Sequence, residues 1–567
     1  MVTMGKTTQK RMVAVLAAVA VVLMAAAGVL IYRSRSPWPD TDKGDCRFFV
    51  DGQWLEQGER PDRLDNSATD YKCVVDMEQG VTLYNYPAGY RVWLPEGLEW
   101  DFTHSNRVAK ADGADFSVTI SGEWSPYEDV DGYLQFYQNR FYESEYFRES
   151  NGLTLLQDET VETAGMETRL LTLSFGEDSA LPYRVYTFAY QKQGRNYMRY
   201  LFRGESFDES YQKDFMKVLN SFERIEAVGE AKSYLKPTPK ANPNWDEQTA
   251  ALWQRYREQD TLDWGIFVAD VFGEGIRETI PAMEEKIGMP FEVVLMYLQL
   301  GLPLDTEGLE LAKQSGKVIE LTLQVSANNN SDVYGYTPMF DLLAGKFDED
   351  LRTLAQQLNY FEHPILFRLN NEMNSDWTSY SGIVTMSDPE IYIAVWRYIY
   401  DVFEQNGVDN LIWVFNPNDR NYPPSEWNDF TRYWPGDDYV QMIGLTGYNT
   451  GDYYADLTGE TWREFKDIYE DVEQKYGPYF GDYPWMITEF GSSSYGGDKV
   501  AWIENMFDCI DDFDNLKVAV WWSYADFDTR EGKEGIAARP YFLDETPETL
   551  EAFAKGRKEQ REREQQQ

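Results

Sequence analysis

VIELTLQV (318–325), an amphipathic stretch from Glu349 to Leu358, and PILFRLNNE (364–372) follow one another in the second half of the chain. Two short apolar runs flanking a segment of helical periodicity read as strand, helix, strand. Runs that are apolar on both faces belong to interior parallel strands. Working outward, the pattern repeats through WGIFVAD (264–270), VVLMYLQL (293–300), LIWVFNPN (411–418), MIGLTGYN (442–449), PWMITEFG (484–491) and VAVWWSYA (518–525). Helix-like stretches over Pro389 to Gln405, Trp462 to Tyr476 and Lys499 to Asp512 alternate with them. Eight such units over roughly 250–300 residues predict an α/β fold, a parallel (β/α)8 TIM barrel, over residues 251–553. An open doubly wound sheet is the competing arrangement, but no dinucleotide or Walker glycine pattern accompanies these strands.

Two glutamates stand at the C-terminal tips of such strands, Glu372 on the fourth and Glu489 on the seventh. A carboxylate near a core is costly unless it has partners or a task. Barrel active sites lie at that face, and two carboxylates across one opening are what glycoside hydrolysis uses. Arg368 lies four residues before Glu372, so on a strand it points to the same side, where its charge would keep a nearby carboxylate ionised. Asn371 has the type and position to bond a sugar hydroxyl. Among the many aromatics, Trp377, Tyr448 and Trp522 sit at strand ends or just beyond, where a ring meets a pyranose face rather than the core.

The run LLAGKFDEDLRTLAQQL (342–358), then PILFRLNNEMNSDW (364–377), WVFNPND (413–419), YWPGDDYVQMIGLTGYN (433–449) and PWMITEFG (484–491) resembles glycoside hydrolase family 26 over about residues 260–545. That family consists largely of retaining endo-β-mannanases, with some β-glucanases and xylanases. The resemblance implies Glu372 as acid/base, Glu489 as nucleophile, Tyr448 as a hydrogen-bond donor to the nucleophile, and Trp522, or else Trp521, as a sugar platform. It implies no cofactor. The sequence also departs from the family. The residue before the acid/base is usually His but is Asn371 here, and a second His common after the third strand is absent from LQVSANNN (323–330). These departures bear on subsite contacts and not on the carboxylate pair.

Other chemistries find little footing. Two histidines and three cysteines without zinc spacing leave no metal site or triad to assemble. A net charge of −44 repels nucleic acid and polyanionic glycans, which favours a neutral polysaccharide partner. The expected activity is retaining endo-β-glycanase, most readily on β-mannan, with β-glucan or xylan as alternatives. A noncatalytic cell-surface glycan-binding barrel is the alternative from another class, but it gives no reason for both carboxylates.

The first half of the chain reads as accessory. Residues 12–32 form an uncharged apolar run of 21 residues, preceded by Lys6, Lys10 and Arg11 and followed by Arg33 and Arg35. As a helix it would span about 31 Å, enough for a bilayer core of about 30 Å. It is expected to anchor the chain in the cell membrane with the remainder outside, a cleaved signal peptide being the rival. Residues 41–226 mix strand-like stretches with helical ones and predict a small α+β domain. Cys46 and Cys73 fall within it and are a candidate disulfide in an oxidising exterior. Residues 227–250, with KPTPKANPNW, read as a linker, and 554–567 as a polar, frayed tail.

Overall fold

The computed structural model describes residues 46–566, except 62–67, 105–107, 138–141, 178 and 328–329. The apolar run 12–32 lies outside the described residues; among those described, no helix is long and apolar enough to cross a membrane.

The eight runs form a closed parallel barrel. Its strands are Asp263–Val268, Val293–Gln299, Val318–Gln324, Ile365–Leu369, Leu411–Phe415, Met442–Asn449, Trp485–Ser492 and Leu516–Ser523, referred to below as first to eighth. Closure is by the first strand pairing with the eighth, Asp263 against Val518 through Val268 against Ser523. Interior side chains Val293, Leu295, Leu366, Ile412, Val414, Met442, Met486, Val518 and Val520 fill the floor. Helix Glu247–Glu258 closes the N-terminal end from below, adding Trp253 and Tyr256 to that cluster. Trp253 Nε1 donates to the Gln441 carbonyl at 3.2 Å and Tyr256 OH to Asp263 Oδ2 at 3.1 Å.

Contacts divide the chain into two compact units, and the division cuts across the segment 41–226 expected as one domain. One unit holds residues up to 107 together with 212–233, and the other holds 108–211 with 234–567. The first is built on an antiparallel sheet in the order Glu223–Arg224, Tyr90–Leu94, Val81–Asn85, Tyr71–Asp76, Cys46–Val50, Gln53–Trp54. Cys46 and Cys73, the candidate disulfide, lie on neighbouring strands of this sheet as buried free thiols. The register pairs Cys73 with Phe48 and Cys46 with Val75, so the two are diagonal neighbours.

In the second unit, an antiparallel sheet runs in the order Val108–Asp112, Phe116–Trp124, Asn196–Gly204, Val185–Gln193, Met166–Phe175, Leu153–Thr163. It belongs with the barrel because buried polar contacts bind it to loops at the barrel's C-terminal face. Arg203 Nη1 pairs with Asp388 at 3.1 Å, both side chains buried. Arg199 Nη2 donates to the Ser387 carbonyl at 3.0 Å, and Tyr142 OH to the Ile383 carbonyl at 2.8 Å. Asn151 bonds both the Gly335 carbonyl and the Thr337 N–H at 2.8 Å. The expected linker is strapped down too: Asn242 Nδ2 reaches Glu404 Oε1 at 2.6 Å and Trp245 Nε1 the Leu411 carbonyl at 2.7 Å.

Removing Arg203 would leave Asp388 buried and unpaired, a loss typically worth about 3–5 kcal/mol. Arg203→Met should therefore lower the thermal midpoint of the second unit by several degrees. Adding Asp388→Asn, which removes the charge but can still cap helix Pro389–Gln405, should recover part of the loss. A midpoint unmoved by Arg203→Met would refute the clamp.

The tail is also not frayed. Residues 554–564 complete helix Pro547–Glu564, which starts from a Thr546 capping box. Its buried face is partly polar. Gln560 accepts from Trp264 Nε1 at 2.8 Å, and Arg557 reaches Glu292 at 3.2 Å. Gly556 is required there, since a Cβ would come 2.1 Å from the Phe507 ring.

Candidate active site

Strand four ends at Leu369, three residues earlier than Glu372, so the glutamate stands in the loop rather than on the strand. From Asn370 to Asp388 every residue is buried except Asp376 and Trp377. The backbone is left-handed at Asn370 (φ 47°), Glu372 (57°), Met386 (60°) and Ser387 (46°). Such conformations cost non-glycine residues roughly 1–3 kcal/mol each and persist only where the surroundings impose them. Here the surroundings are known: Glu372 N–H donates to the Asn416 carbonyl at 2.8 Å, and the far end of the loop is held by Arg199 and Arg203.

The loop delivers Glu372 to Glu489. The Asn371 side-chain amide donates to Glu372 Oε1 and to Glu489 Oε1, each at 3.2 Å. Those two oxygens, each 3.2 Å from one nitrogen, stand no more than about 6.4 Å apart. The amide's orientation is set by its other end, where Asn371 Oδ1 accepts from Gln324 Nε2 and Tyr380 OH, both at 2.9 Å.

The two carboxylates live in different surroundings. Glu489 Oε1 also accepts from Arg368 Nη1 at 2.6 Å, and Oε2 from Tyr297 OH at 2.7 Å and Tyr448 OH at 3.0 Å. Arg368 is fully enclosed: Nε donates to Thr322 Oγ1 at 2.7 Å, Nη1 to Asn416 Oδ1 at 2.9 Å, and the guanidinium lies over the Tyr297 ring. Glu489 thus faces one cation and two hydroxyl donors. Glu372 faces only neutral donors, Asn371, Asn418 Nδ2 at 2.5 Å and Trp377 Nε1 at 3.2 Å. Burial, and after it the charge of Glu489, push the Glu372 carboxyl up to about 8, against the opposing pull of Asn418, Trp377 and Arg368.

The structure brings together Glu372, Glu489, Arg368, Asn371, Trp377 and Tyr448 as direct contacts. Trp522 stands beside them, half-buried, stacked on Phe267 and edge-on to Tyr448. Its Nε1 has no hydrogen-bond partner among the described residues. Trp521 points away into the core, donating to the Tyr541 carbonyl at 2.7 Å, which separates the two tryptophans. Sequence reasoning missed Tyr297, Gln324, Tyr380, Asn416 and Asn418. The signal was there for some of them: the polar ending of LIWVFNPN carries both asparagines, and Tyr297 interrupts the aliphatic run VVLMYLQL.

Residues 334–474 match the model of glycosyl hydrolase family 26, which takes in the fourth-strand loop and Glu372. Endoglucanase H of Acetivibrio thermocellus is 30% identical over 222 residues, 38% of this chain and 22% of that protein. Mannan endo-1,4-beta-mannosidase of Bacillus subtilis (strain 168) is 36% identical over 111 residues, 17% of this chain and 28% of that one. The chain thus spans less than a third of the length of either relative. Among solved structures, a GH26 β-mannanase from Bacteroides ovatus is 17% identical with a TM-score of 0.42, over 55% of this chain and 93% of that chain. The segment that matches the glycosyl hydrolase family 26 model lies within the closed barrel and carries Glu372.

Proposed function

We propose that this chain is a retaining endo-β-glycanase acting on a neutral polysaccharide, with Glu489 as nucleophile and Glu372 as acid/base. The observation that carries the reading is one side-chain amide, Asn371, touching both carboxylates while their surroundings differ. A ceiling of about 6.4 Å between the bonded oxygens suits the roughly 5–5.5 Å of a double displacement. Glu372, pushed up to about 8, holds a proton at neutral pH for the leaving oxygen, while Glu489 faces a cation and two hydroxyls. After the sugar is transferred to Glu489, that negative charge is gone, and Glu372 can give up its proton and then activate water.

β-Mannan is the leading substrate, supported by the family and by the named activity of the Bacillus relative. A β-glucan is the second reading. It is favoured by Asn371 in the place of the family's usual histidine and by the 222-residue match to a protein named an endoglucanase. The apolar run 12–32 with its basic flanks supports an extracytoplasmic, membrane-anchored enzyme, where such polymers are met.

The test is reducing-end release from mannan, mixed-linkage β-glucan and xylan, with NMR of the first-formed anomer. Release from mannan with β-configured product is expected. A first-formed α-anomer would end the retaining assignment, and no release from any of the three would end the glycanase reading.

A further inference from the structure

One buried carboxyl has no part in the mechanism above. Glu320 lies on the third strand, inside the barrel and fully buried. Register pairs it with Leu295 on one side and Leu366 on the other, so it interrupts the apolar layer of the floor. Neither of its oxygens accepts a hydrogen bond, which is an expensive way to keep a carboxyl in such a place. A leucine would fill the position at less cost. Among the described residues its ion-pair neighbour is Arg368, whose Nε stands 3.3 Å from Glu320 Oε1.

We propose that Glu320 is a positioning residue for Glu489, acting through Arg368. The guanidinium is gripped from above by Glu489 and Asn416 and from the third strand by Thr322 and Glu320. Without Glu320, the Thr322 hydroxyl is the contact described on the third-strand side that opposes a tilt of the guanidinium away from Glu489. The form in which Glu320 does this matters. Burial pushes its carboxyl up to about 8, with Arg368 opposing and the charge of Glu489 adding. Arg368 and Glu489 are the charged groups that bear on it. A protonated Glu320 would set a neutral group against the guanidinium and leave that cation's charge to Glu489.

The experiment compares Glu320→Leu, which removes the contact, with Glu320→Gln, which keeps a neutral group of the same shape. The readout is the rate of covalent labelling at Glu489, against pH, by a dinitrophenyl fluoroglycoside of a β-linked mannose disaccharide. The glucose analogue is run in parallel. Sites are counted by the labelled fraction, so a poorly folded variant loses titre and not rate per site. Glu320→Leu should move the acidic limb up by about 0.5–1 pH unit and lower kcat about tenfold, with KM within about twofold. Glu320→Gln should stay within about twofold of wild type between roughly pH 5 and 7. The inference rests on Glu489 as nucleophile. Wild-type protein left unlabelled at Glu489 by both probes would overturn that reading and this inference together. Labelled wild type with an unmoved acidic limb in Glu320→Leu would overturn this inference alone. So would a Glu320→Gln as impaired as Glu320→Leu, because the anion would then be the active form.

Discussion

Glu489→Ala should lose turnover on every glycan and every synthetic glycoside, by roughly 10⁴-fold or more. The loss follows from what the side chain is held by. Arg368 at 2.6 Å and the hydroxyls of Tyr297 and Tyr448 at 2.7 and 3.0 Å are all spent on this one carboxylate. Without it no glycosyl-enzyme bond forms, and a good leaving group cannot compensate. The variant also leaves Arg368 enclosed beside the Glu320 carboxyl, so added azide or formate is the informative supplement. A small anion that enters the vacated space and attacks from the nucleophile's side should give inverted product from an activated fluoride donor. Wild-type-like rates in Glu489→Ala, on any substrate, would remove it from the reaction.

Glu372→Ala should split by substrate. Natural polysaccharides, whose leaving oxygen needs a proton, should slow by roughly 10²–10⁴-fold. A glycoside with an activated leaving group should still load the enzyme, because the first step no longer needs the acid. The slow step then becomes release, and azide should accelerate it and yield a glycosyl azide of retained configuration. The pH profile provides a second check. Burial and Glu489 push Glu372 up to about 8, so kcat/KM on polysaccharide should fall as pH rises through that region. The same limb should be missing from Glu372→Ala assayed with the activated substrate. An inverted azide product, or an alkaline limb that survives the substitution, would reassign the acid.

The barrel was legible because its strands are apolar on both faces, and such runs stand out whatever surrounds them. Glu372 and Glu489 were legible for the complementary reason, as ionisable groups at the ends of those runs. Arg368 followed from strand alternation alone. The contacts that tune the pair were not legible in the same way. Tyr297 and Asn418 come from the second strand and from beyond the fifth, and only closure of the barrel brings them to Glu489 and Glu372. Glu320 sits inside VIELTLQV, where a single acid reads as an exposed edge of the alternation until the structure places it in the floor.

In the accessory parts, polarity hides the packing. Arg199 and Arg203 in YMRYLFRG look like the solvent side of a strand, but they are buried against the Ser387 carbonyl and Asp388. Helix Pro547–Glu564 shows no apolar period because Arg557 and Gln560 are part of its buried face.

Loop 370–388 differs from the usual picture of a barrel loop as the variable part of the site. It is enclosed, its backbone is left-handed at four non-glycine positions, and both of its ends are fastened. For anyone retuning this enzyme by mutagenesis, that divides the rim into forbidden and permitted ground. Libraries spread across 370–388 should return mostly inactive clones. Trp377 stands apart from the buried loop residues, 42% exposed and still within reach of Glu372. The productive diversity lies elsewhere, at exposed rim aromatics such as Tyr334 and Tyr495, where a ring can be exchanged without moving the acid.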